Sequence, residues 1–310
     1  MKKDLLNLYE LGRADFEMIF RRSEALKKMN KDEISYTPLV GKTLGMIFDK
    51  SSTRTRLSFE VGIYQLGGMA TFLSRRDIQL GRGETIPDTA RVMSRYLDGI
   101  VIRTFDQKWV EEFALHASIP VINGLTDLLH PCQILSDIFT IIEEKGTYEG
   151  LKVAYVGDGN NVANSWINAA ARLPFTLHLA CPEGYDPDDT ILQRGVAESP
   201  GGIRLFRAPF DAVTDADVIY TDVWASMGQE DEREERAPVF MDYQVNEHLL
   251  TYGRQDAIVM HCLPAHRGEE ITDDVLDGSH SVVVDQAENR LHVQKALMEI
   301  LIGGQYNKDE

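Results

Sequence analysis

The chain has 310 residues, of which 43% are hydrophobic and 26% are charged, proportions that are usual for a water-soluble globular protein. This length exceeds one typical hydrophobic core and predicts two domains. The net charge of −17 argues against nucleic acid as a partner, because binding a phosphate backbone requires a basic face. No run reaches the ~18 apolar residues of a membrane-spanning helix, so no membrane partner is expected.

The three cysteines, Cys132, Cys181 and Cys262, are odd in number and far apart. This pattern indicates a reducing compartment rather than a disulfide framework. The N-terminal segment has no unbroken apolar stretch, and its acidic residues are atypical of a transit peptide. We therefore expect a cytoplasmic protein.

The first half of the chain alternates helical patterns with short apolar strands. Apolar residues from Phe16 to Leu26 suit one face of an opening helix. Strands are predicted near 43–49, 69–74 and 98–103 and at Val121 and Ile122, and helices near 53–66, 86–97 and 131–145. Such alternation is typical of a parallel sheet covered by helices.

A second α/β pattern follows a helix stop and hinge at residues 145–150. It predicts a helix at 162–172 and strands at 151–156, 176–180, 203–206, 217–221, 257–263 and 281–285. The apolar helix that follows must bury one face, and we expect it to cross back over the first domain. The predicted fold is α/β, with two doubly wound parallel-sheet domains (1–145 and 146–285) and a C-terminal helix (286–310) packing on the first domain.

The segment Ser-Ser-Thr-Arg-Thr-Arg at 51–56 joins a predicted strand to a predicted helix. A helix start attracts anions, because its backbone N–H groups are unpaired and its dipole is positive there. Arg54 and Arg56 add planar guanidiniums that match phosphate or carboxylate oxygens. Residues 49–103 also hold nine Lys/Arg against six Asp/Glu, a basic island in an acidic chain. We predict an anion site, the alternative being an Arg-rich, solvated helix start.

Further donors occur at two other strand ends of this half. Arg103 ends a predicted strand, where ligands of open α/β sheets bind. His-Pro-Cys-Gln at 130–133 opens the long helix, so His130 and Gln133 can face the same ligand. A histidine before a helix is more often structural. Together with the turn at 51–56, however, these donors suit acyl transfer from an acyl phosphate, in which charge develops on a carbonyl oxygen.

Two polar turns follow strands in the second half. Gly-Asp-Gly-Asn-Asn at 157–161 resembles a dinucleotide loop, but Val162 stands where G-x-G-x-x-G requires glycine. We therefore do not expect NAD, and the asparagines could instead hold a polar substrate. The segment from Asp222 to Gly228 precedes a charged run at 229–236, which we interpret as a solvated surface loop. Such a loop beside a substrate would make a suitable lid.

His261 and Cys262 end another predicted strand, with His266 just beyond. Zinc is one interpretation of this cluster. However, no second Cys/His pair has finger-like spacing, and adjacent strand residues point to opposite faces, so no metal is expected. A nucleophilic Cys262 would need a base, and no clear base motif accompanies it.

Five motifs, in this order, resemble the transcarbamoylase family from the strand at 43 to the closing helix. They are Ser-Thr-Arg-Thr-Arg (52–56), His-Pro-Cys-Gln (130–133), Asp-x-x-x-Ser-Met-Gly (222–228), His-Cys-Leu-Pro (261–264) and Glu-Asn-Arg (288–290). The first two are shared by the ornithine and aspartate branches. Ser-Met-Gly and His-Cys-Leu-Pro mark the ornithine branch.

This resemblance implies which residues bind each substrate. Those implied for carbamoyl phosphate are Ser52, Thr53, Arg54, Thr55, Gln79, Arg103, His130, Gln133, Cys262, Leu263 and Arg290. Those implied for ornithine are Asn161, Asp222, Ser226 and Met227. Arg54, Arg103, His130 and Cys262 are the implied catalytic residues. Gln79 lies in the loop that, in this family, reaches the active site of a neighbouring subunit of a trimer.

The implied reaction converts carbamoyl phosphate and L-ornithine to L-citrulline and phosphate, in arginine biosynthesis or catabolism. It uses no cofactor, no metal and no covalent enzyme intermediate, and the implied assembly is a homotrimer or a multiple of trimers. Putrescine could replace ornithine, although Asp222 and Ser-Met-Gly favour an amino-acid substrate. A dehydrogenase would need a glycine-rich loop that is incomplete here. A non-catalytic trimer-forming paralogue would be expected to lose phosphate ligands, and none is missing.

Overall fold

The computed structural model describes residues 4–74, 83–225 and 230–304. The chain divides into two compact units: unit 1 comprises Met1–Leu135 with Asn289–Glu310, and unit 2 comprises Ser136–Glu288. Among the described residues, no helix is long and apolar enough to cross a membrane. Both units are α/β, as the alternation of strands and helices predicts.

Unit 1 is built on a parallel sheet of four described strands in the order β2-β1-β3-β4. The strands are Thr43–Phe48 (β1), Met69–Ser74 (β2), Gly99–Arg103 (β3) and Val121–Leu125 (β4). The helices are Arg13–Lys31 (α1), Thr53–Gln65 (α2), Ile86–Met93 (α3), Gln107–His116 (α4) and Pro131–Lys145 (α5), the last of which continues into unit 2. Of these described strands and helices, α4 is the one that the sequence analysis does not predict.

The core of unit 1 forms where its strands meet α4. Ile47, Ile100 and Ile102 of the strands pack in one buried cluster with Val110 and Phe113. β3 is buried along its whole length, as is typical of a central parallel strand with helices on both faces. This packing fixes the ends of β1 and β3, where the predicted site residues lie.

Unit 2 is built on five described parallel strands in the order β7-β6-β5-β8-β9. The strands are Lys152–Val156 (β5), Thr176–Ala180 (β6), Ile203–Phe206 (β7), Val218–Thr221 (β8) and Ile258–His261 (β9). The helices are Asn161–Ala170 (α6), Asp189–Glu198 (α7), Pro209–Val213 (α8), Arg233–Phe240 (α9), Glu247–Leu250 (α10), Asp273–Leu276 (α11) and Val283–Gly303 (α12). Its core includes Val156, Ile219 and Val259 from the strands, packed with Trp224 and Phe240.

The strand predicted at 281–285 is wrong, because α12 begins within it at Val283. Ser281 forms only an isolated bridge to Val259. The backbone N–H of Gln286 donates to the carbonyl of Val282 at 2.9 Å, which is the helical spacing. Three consecutive valines favour a strand, but such propensity is weak and tertiary context overrides it.

The later part of α12 belongs to unit 1 and packs on its helices. Arg22 of α1 donates to both carboxylate oxygens of Glu299, at 2.6 and 2.9 Å. Lys295 donates to Gln65 at the end of α2, at 2.9 Å. The prediction that the closing helix packs on the first domain is confirmed.

Candidate active site

The predicted site residues of unit 1 lie at the carboxyl ends of its strands. β2 lies on one side of β1 and β3 on the other, so the chain reverses its direction across the sheet between β1 and β3. The helix after β1 begins at Thr53, and β3 ends at Arg103. Ligands of open α/β sheets bind in the crevice at such a reversal.

The start of α2 offers hydrogen-bond donors, and no acidic side chain of its first turn competes for them. Ser52 is the N-cap, and its hydroxyl accepts the backbone N–H of Thr55 at 3.2 Å. The first turn contains no acidic residue, although the helix dipole favours Asp or Glu there. Thr53 is exposed and Arg54 is half-buried, so both can reach a ligand. This helix start therefore suits an anion.

Thr55 is joined to the closing helix by a buried hydrogen bond. The Nη2 atom of Arg290 donates to the hydroxyl of Thr55 at 2.7 Å. Arg290 is only 3% exposed, and Thr55 is fully buried. The bond brings a guanidinium to the first turn of α2.

His130 is buried beside two arginines. Burial is the largest cause that lowers the pKa of His130 well below its ordinary 6.5, and the positive charges of Arg290 and Arg103 lower it further. The imidazole is therefore neutral at physiological pH, with one nitrogen as donor and the other as acceptor. Arg103 is itself only 4% exposed. Thr55, Arg290, His130 and Arg103 therefore form one buried cluster, in which Arg290 bonds Thr55 and the charges of Arg290 and Arg103 act on His130.

Arg56 does not join this cluster. Its Nε donates to Glu60 one turn along α2, at 3.0 Å, and its guanidinium lies 3.9 Å from the ring centre of Phe72. Both contacts engage the guanidinium of Arg56 with residues outside the cluster. Of the two arginines in the predicted turn, Arg54 is therefore the better candidate for an anion.

Cys132 and Gln133, in the first turn of α5, are fully buried. The backbone N–H of Gln133 donates to the carbonyl of His130 at 3.2 Å. Burial raises the pKa of Cys132 to about 12, although the charge of Arg290 opposes this. Its thiol stays protonated and donates to the carbonyl of Asn123 at 3.4 Å. Cys132 is therefore not suited to act as a nucleophile.

In unit 2 the chain reverses its direction across the sheet between β5 and β8, and Asp222 directly follows β8. Its Oδ1 accepts the backbone N–H of Val223 at 2.9 Å and the thiol of Cys262 at 3.0 Å, and its Oδ2 accepts Nδ2 of Asn160 at 2.8 Å. Asp222 is buried. Three donors therefore hold its carboxylate in one orientation.

Of the two asparagines in the turn after β5, Asn160 is the one that bonds Asp222, whereas the family resemblance implies a role for Asn161. Asn160 is the N-cap of α6: its Oδ1 accepts the backbone N–H groups of Val162 and Ala163, at 2.9 and 3.3 Å. Its amide nitrogen is thereby left to bond Asp222. Asn161 is the first helical residue and is mostly buried. An asparagine just before an apolar helical pattern is an N-cap signal that could have identified Asn160.

Gly159, in the turn after β5, has a packing role. A Cβ on Gly159 would lie 2.2 Å from the backbone nitrogen of Pro187, so only glycine fits there. The close approach of two backbone segments explains this glycine without a bound dinucleotide.

His261 orients the turn that carries Cys262 and Leu263. Its Nδ1 accepts the backbone N–H of Leu263 at 2.8 Å, so its Nε2 carries the proton that Glu270 accepts at 3.0 Å. Leu263 adopts a left-handed backbone with a φ of 55°, which few non-glycine residues do. No local sequence pattern marks Glu270, because its role depends on a histidine in another element.

Asp222, His261 and Cys262 each bring one ligand atom to within 4.8 Å of the others. The expectation that adjacent strand residues diverge does not apply, because β9 ends at His261 and Cys262 belongs to the turn. Both ring nitrogens of His261 form hydrogen bonds, and the thiol bonds Asp222. Hydrogen bonds within the protein therefore explain why these three side chains lie close together.

Residues 230–236, the described part of the charged run, are not a wholly solvated loop. Arg236 lies in α9 and is buried, and it donates to Asp158 at 3.1 Å and to the carbonyl of Trp224 at 2.9 Å. Burial raises the pKa of Asp158 to about 7, while the charge of Arg236 opposes this and that of Asp222 adds to it. The surface-loop interpretation is wrong for Arg236, because the turn after β5 supplies a buried partner.

The predicted residues Gln79, Ser226 and Met227 lie outside the described residues. The other predicted site residues fall into two groups, one in each unit. In unit 1 they surround the start of α2 and the ends of β3 and β4. In unit 2 they follow β5, β8 and β9.

Two family profiles match the chain. The one described as "Aspartate/ornithine carbamoyltransferase, carbamoyl-P binding domain" matches residues 3–143. The one described as "Aspartate/ornithine carbamoyltransferase, Asp/Orn binding domain" matches residues 149–301. Together the two profiles account for most of the chain.

Relatives and solved structures are similar to the chain over nearly its whole length. The ornithine carbamoyltransferase of Syntrophus aciditrophicus is 71% identical over 97% of this chain and 100% of its own length. That of Thermococcus kodakarensis is 57% identical over 97% of each chain. The solved ornithine carbamoyltransferase of Pyrococcus furiosus has a TM-score of 0.94 at 53% identity, covering 98% of both chains.

Proposed function

Because the chain belongs to the aspartate/ornithine carbamoyltransferase family, we propose that it transfers the carbamoyl group of carbamoyl phosphate to the side-chain amine of L-ornithine, giving L-citrulline and phosphate. The observation that carries this proposal is the buried cluster of Thr55, Arg103, His130 and Arg290 at the start of α2. It combines cationic groups with a neutral imidazole, which suits an acyl phosphate. Similarity to relatives named ornithine carbamoyltransferase supports ornithine as the acceptor.

The phosphate of carbamoyl phosphate binds at the start of α2. The backbone N–H groups, the hydroxyls at 52–55 and the guanidinium of Arg54 all favour an anion there. Neutralising the phosphate also makes it a better leaving group. The residues that we propose for carbamoyl phosphate are Ser52, Thr53, Arg54, Thr55, Gln79, Arg103, His130, Gln133, Cys262, Leu263 and Arg290.

The carbonyl oxygen of the carbamoyl group lies near His130 and Arg103. A neutral imidazole donates an N–H to this oxygen, and Arg103 supplies positive charge as the oxygen becomes negative. A preorganised donor of this kind is worth about 3 kcal/mol of transition-state stabilisation. Thr55 contributes its hydroxyl to the same oxygen.

The amino-acid end of ornithine binds in unit 2, through Asn161, Asp222, Ser226 and Met227. The three hydrogen bonds that Asp222 accepts orient its carboxylate, which can then pair with the α-ammonium group. Cys262 and Leu263 line the reacting centre. Since Asp222 bonds the thiol of Cys262, recognition of the ammonium and placement of this turn are coupled.

The attacking group is the side-chain amine of ornithine, which must first lose a proton, because its pKa lies near that of lysine, about 10.4. Cys262 and Asp222 are the candidates to receive this proton. The amine nitrogen then bonds the carbamoyl carbon, and the bond from that carbon to the phosphate oxygen breaks. Holding both substrates in reactive geometry can lower the barrier by about 7–11 kcal/mol. No cofactor or covalent enzyme intermediate is required.

We also propose a homotrimer, or a multiple of trimers, in which Gln79 serves the active site of a neighbouring subunit. The family resemblance supports this assembly. A cytoplasmic location is supported by the odd number and wide spacing of the three cysteines, a pattern that indicates a reducing compartment.

The purified chain should form citrulline and phosphate in equal amounts from carbamoyl phosphate and L-ornithine. Phosphate release without citrulline would contradict the proposal. A chain that binds carbamoyl phosphate but forms no product would instead be a non-catalytic paralogue.

A further inference from the structure

His266, Glu269 and Glu270 form a side-chain cluster on the loop between β9 and α11. The Nδ1 atom of His266 lies 3.9 Å from Oε2 of Glu269 and 3.8 Å from Oε2 of Glu270. All three atoms lie within 4.8 Å of one another. One imidazole and two carboxylates therefore point at a common position.

The two carboxylate oxygens of Glu270 have different surroundings. Oε1 accepts the Nε2–H of His261 at 3.0 Å and the backbone N–H of His266 at 2.6 Å. Oε2, on a side chain that is 0% exposed, has no hydrogen-bond partner among the residues that the structure describes. A buried carboxylate oxygen without a donor is costly. This atom therefore favours a cation that the described residues do not supply.

We propose that His266, Glu269 and Glu270 bind a divalent transition-metal ion such as Zn²⁺ or Co²⁺. A mixed set of imidazole and carboxylate ligands suits these ions. Tetrahedral ligands at the usual bond lengths lie about 3.4 Å apart, so small side-chain shifts would complete the geometry. His266 and Glu269 are 37% and 25% exposed, which gives the ion a path from solvent and leaves room for a water ligand.

Arg233 allows a variant that should raise the affinity for the metal ion, whereas a variant of a ligand should lower it. Its Nε donates to Oε2 of Glu269 at 3.1 Å, which is the oxygen that would bind the ion. The guanidinium therefore competes with the ion and repels its charge. Removing it should strengthen metal binding, whereas removing a ligand should weaken it.

The proposed site also differs from the group of Asp222, His261 and Cys262, because it contains no sulfur. Co²⁺ distinguishes the two, since a thiolate ligand produces an intense near-ultraviolet charge-transfer band and nitrogen or oxygen ligands do not. Placing serine at Cys262 removes the thiol and leaves the proposed site intact.

The test is equilibrium dialysis of the full chain against Co²⁺, both as the parent and as Cys262→Ser, with absorption spectra of the loaded protein. We expect one bound ion without a thiolate band. His266→Ala and Glu269→Gln should each weaken binding by at least about tenfold. Arg233→Met should strengthen it several-fold. His248→Ala replaces an exposed histidine of the same unit and should leave binding unchanged.

Thermal unfolding gives a second readout. Because Oε1 of Glu270 bonds His261, an ion on Oε2 restrains the turn at 262–263 and should raise the midpoint of thermal unfolding in the parent but not in His266→Ala. The proposal is overturned if the parent retains no Co²⁺. The partner of Oε2 of Glu270 would then be a bridging water. The proposal is equally overturned if His266→Ala and Glu269→Gln bind the ion as the parent does. Neither outcome bears on carbamoyl transfer, which the experiment does not measure.

Discussion

Arg290 donates a hydrogen bond of 2.7 Å to the hydroxyl of Thr55, 235 residues earlier in the chain. Arg290 lies on the closing helix and Thr55 in the first turn of α2. Because both side chains are buried, the bond forms in a low-dielectric setting, where it is stronger than in water. The anion site at the start of α2 therefore depends on a residue from the far end of the chain.

Thr55→Val should impair the use of carbamoyl phosphate, because it removes the hydroxyl that orients Arg290. Loss of a hydrogen bond to a charged group corresponds to about 1.5–3 kcal/mol, or roughly tenfold or more in kcat/KM for carbamoyl phosphate. Steady-state kinetics alongside thermal unfolding measure this effect. Ser58→Ala is the matched control, because within the described part of the chain the Ser58 hydroxyl bonds carbonyls of its own helix. Equal losses in the two variants would argue against a specific role for the Arg290–Thr55 bond.

Arg54→Gly should reduce turnover by about a hundredfold or more, because a preorganised charged donor to the leaving phosphate contributes about 3 kcal/mol. Arg56→Gly makes the same substitution two residues along α2, where the guanidinium bonds Glu60 instead. Each variant loses about 1 kcal/mol of helix propensity. Turnover numbers with saturating substrates compare them. Similar turnover in the two variants would show that Arg54 has no role at the phosphate.

Asp222→Ala should lower kcat/KM for ornithine far more than any residual turnover of putrescine, which has no α-ammonium group in the same position. Breaking a desolvated charge pair costs about 3–5 kcal/mol, so ornithine should lose roughly a hundredfold or more. Asn160→Ala is the control: it removes a hydrogen bond to Asp222 and the cap of α6, but no charge. It should lower the unfolding temperature and preserve the ornithine-to-putrescine ratio. An unchanged ratio in Asp222→Ala would refute the recognition role.

Asp158 should make stability depend on pH. Burial raises its pKa from 3.8 to about 7, so between these values the folded chain holds a proton that the unfolded chain releases. The free energy of unfolding should therefore fall with rising pH by about 1 kcal/mol per unit from this group, and level off above its folded pKa.

Asp158→Asn removes this titration, so the stability of the variant relative to the parent should rise between pH 5 and pH 7. Denaturant unfolding at a series of pH values measures the difference. Asp211→Asn, at an exposed position of the same unit, should show no such trend. A constant difference between Asp158→Asn and the parent would place the pKa of Asp158 outside this range.

Local signals account for the features that the sequence predicts well. The turn at 51–56 is recognisable because strand pattern, hydroxyl cap and helix pattern follow one another within a few residues. The same holds for Arg103 at the end of β3 and His130 before α5. Local signals mislead at 281–285, where three valines favour a strand and packing selects a helix.

Interactions between distant residues could not be predicted in this way. Arg236 reads as part of a charged surface run, yet its partner Asp158 lies 78 residues earlier. Glu270 is buried and accepts a hydrogen bond from His261, which belongs to a different element. Such pairs arise only when the strands of unit 2 assemble, and no periodicity or motif records them.

The most direct test of the proposed function is kcat/KM of the purified chain for L-ornithine, putrescine and L-aspartate, each with carbamoyl phosphate. Ornithine should be preferred over putrescine by at least about a hundredfold, because the desolvated pairing of Asp222 with the α-ammonium contributes about 3–5 kcal/mol. Aspartate should not be carbamoylated, since its α-amine would have to occupy the position of the ornithine side-chain amine. A preference for putrescine or aspartate, or no citrulline from ornithine, would contradict ornithine carbamoyl transfer.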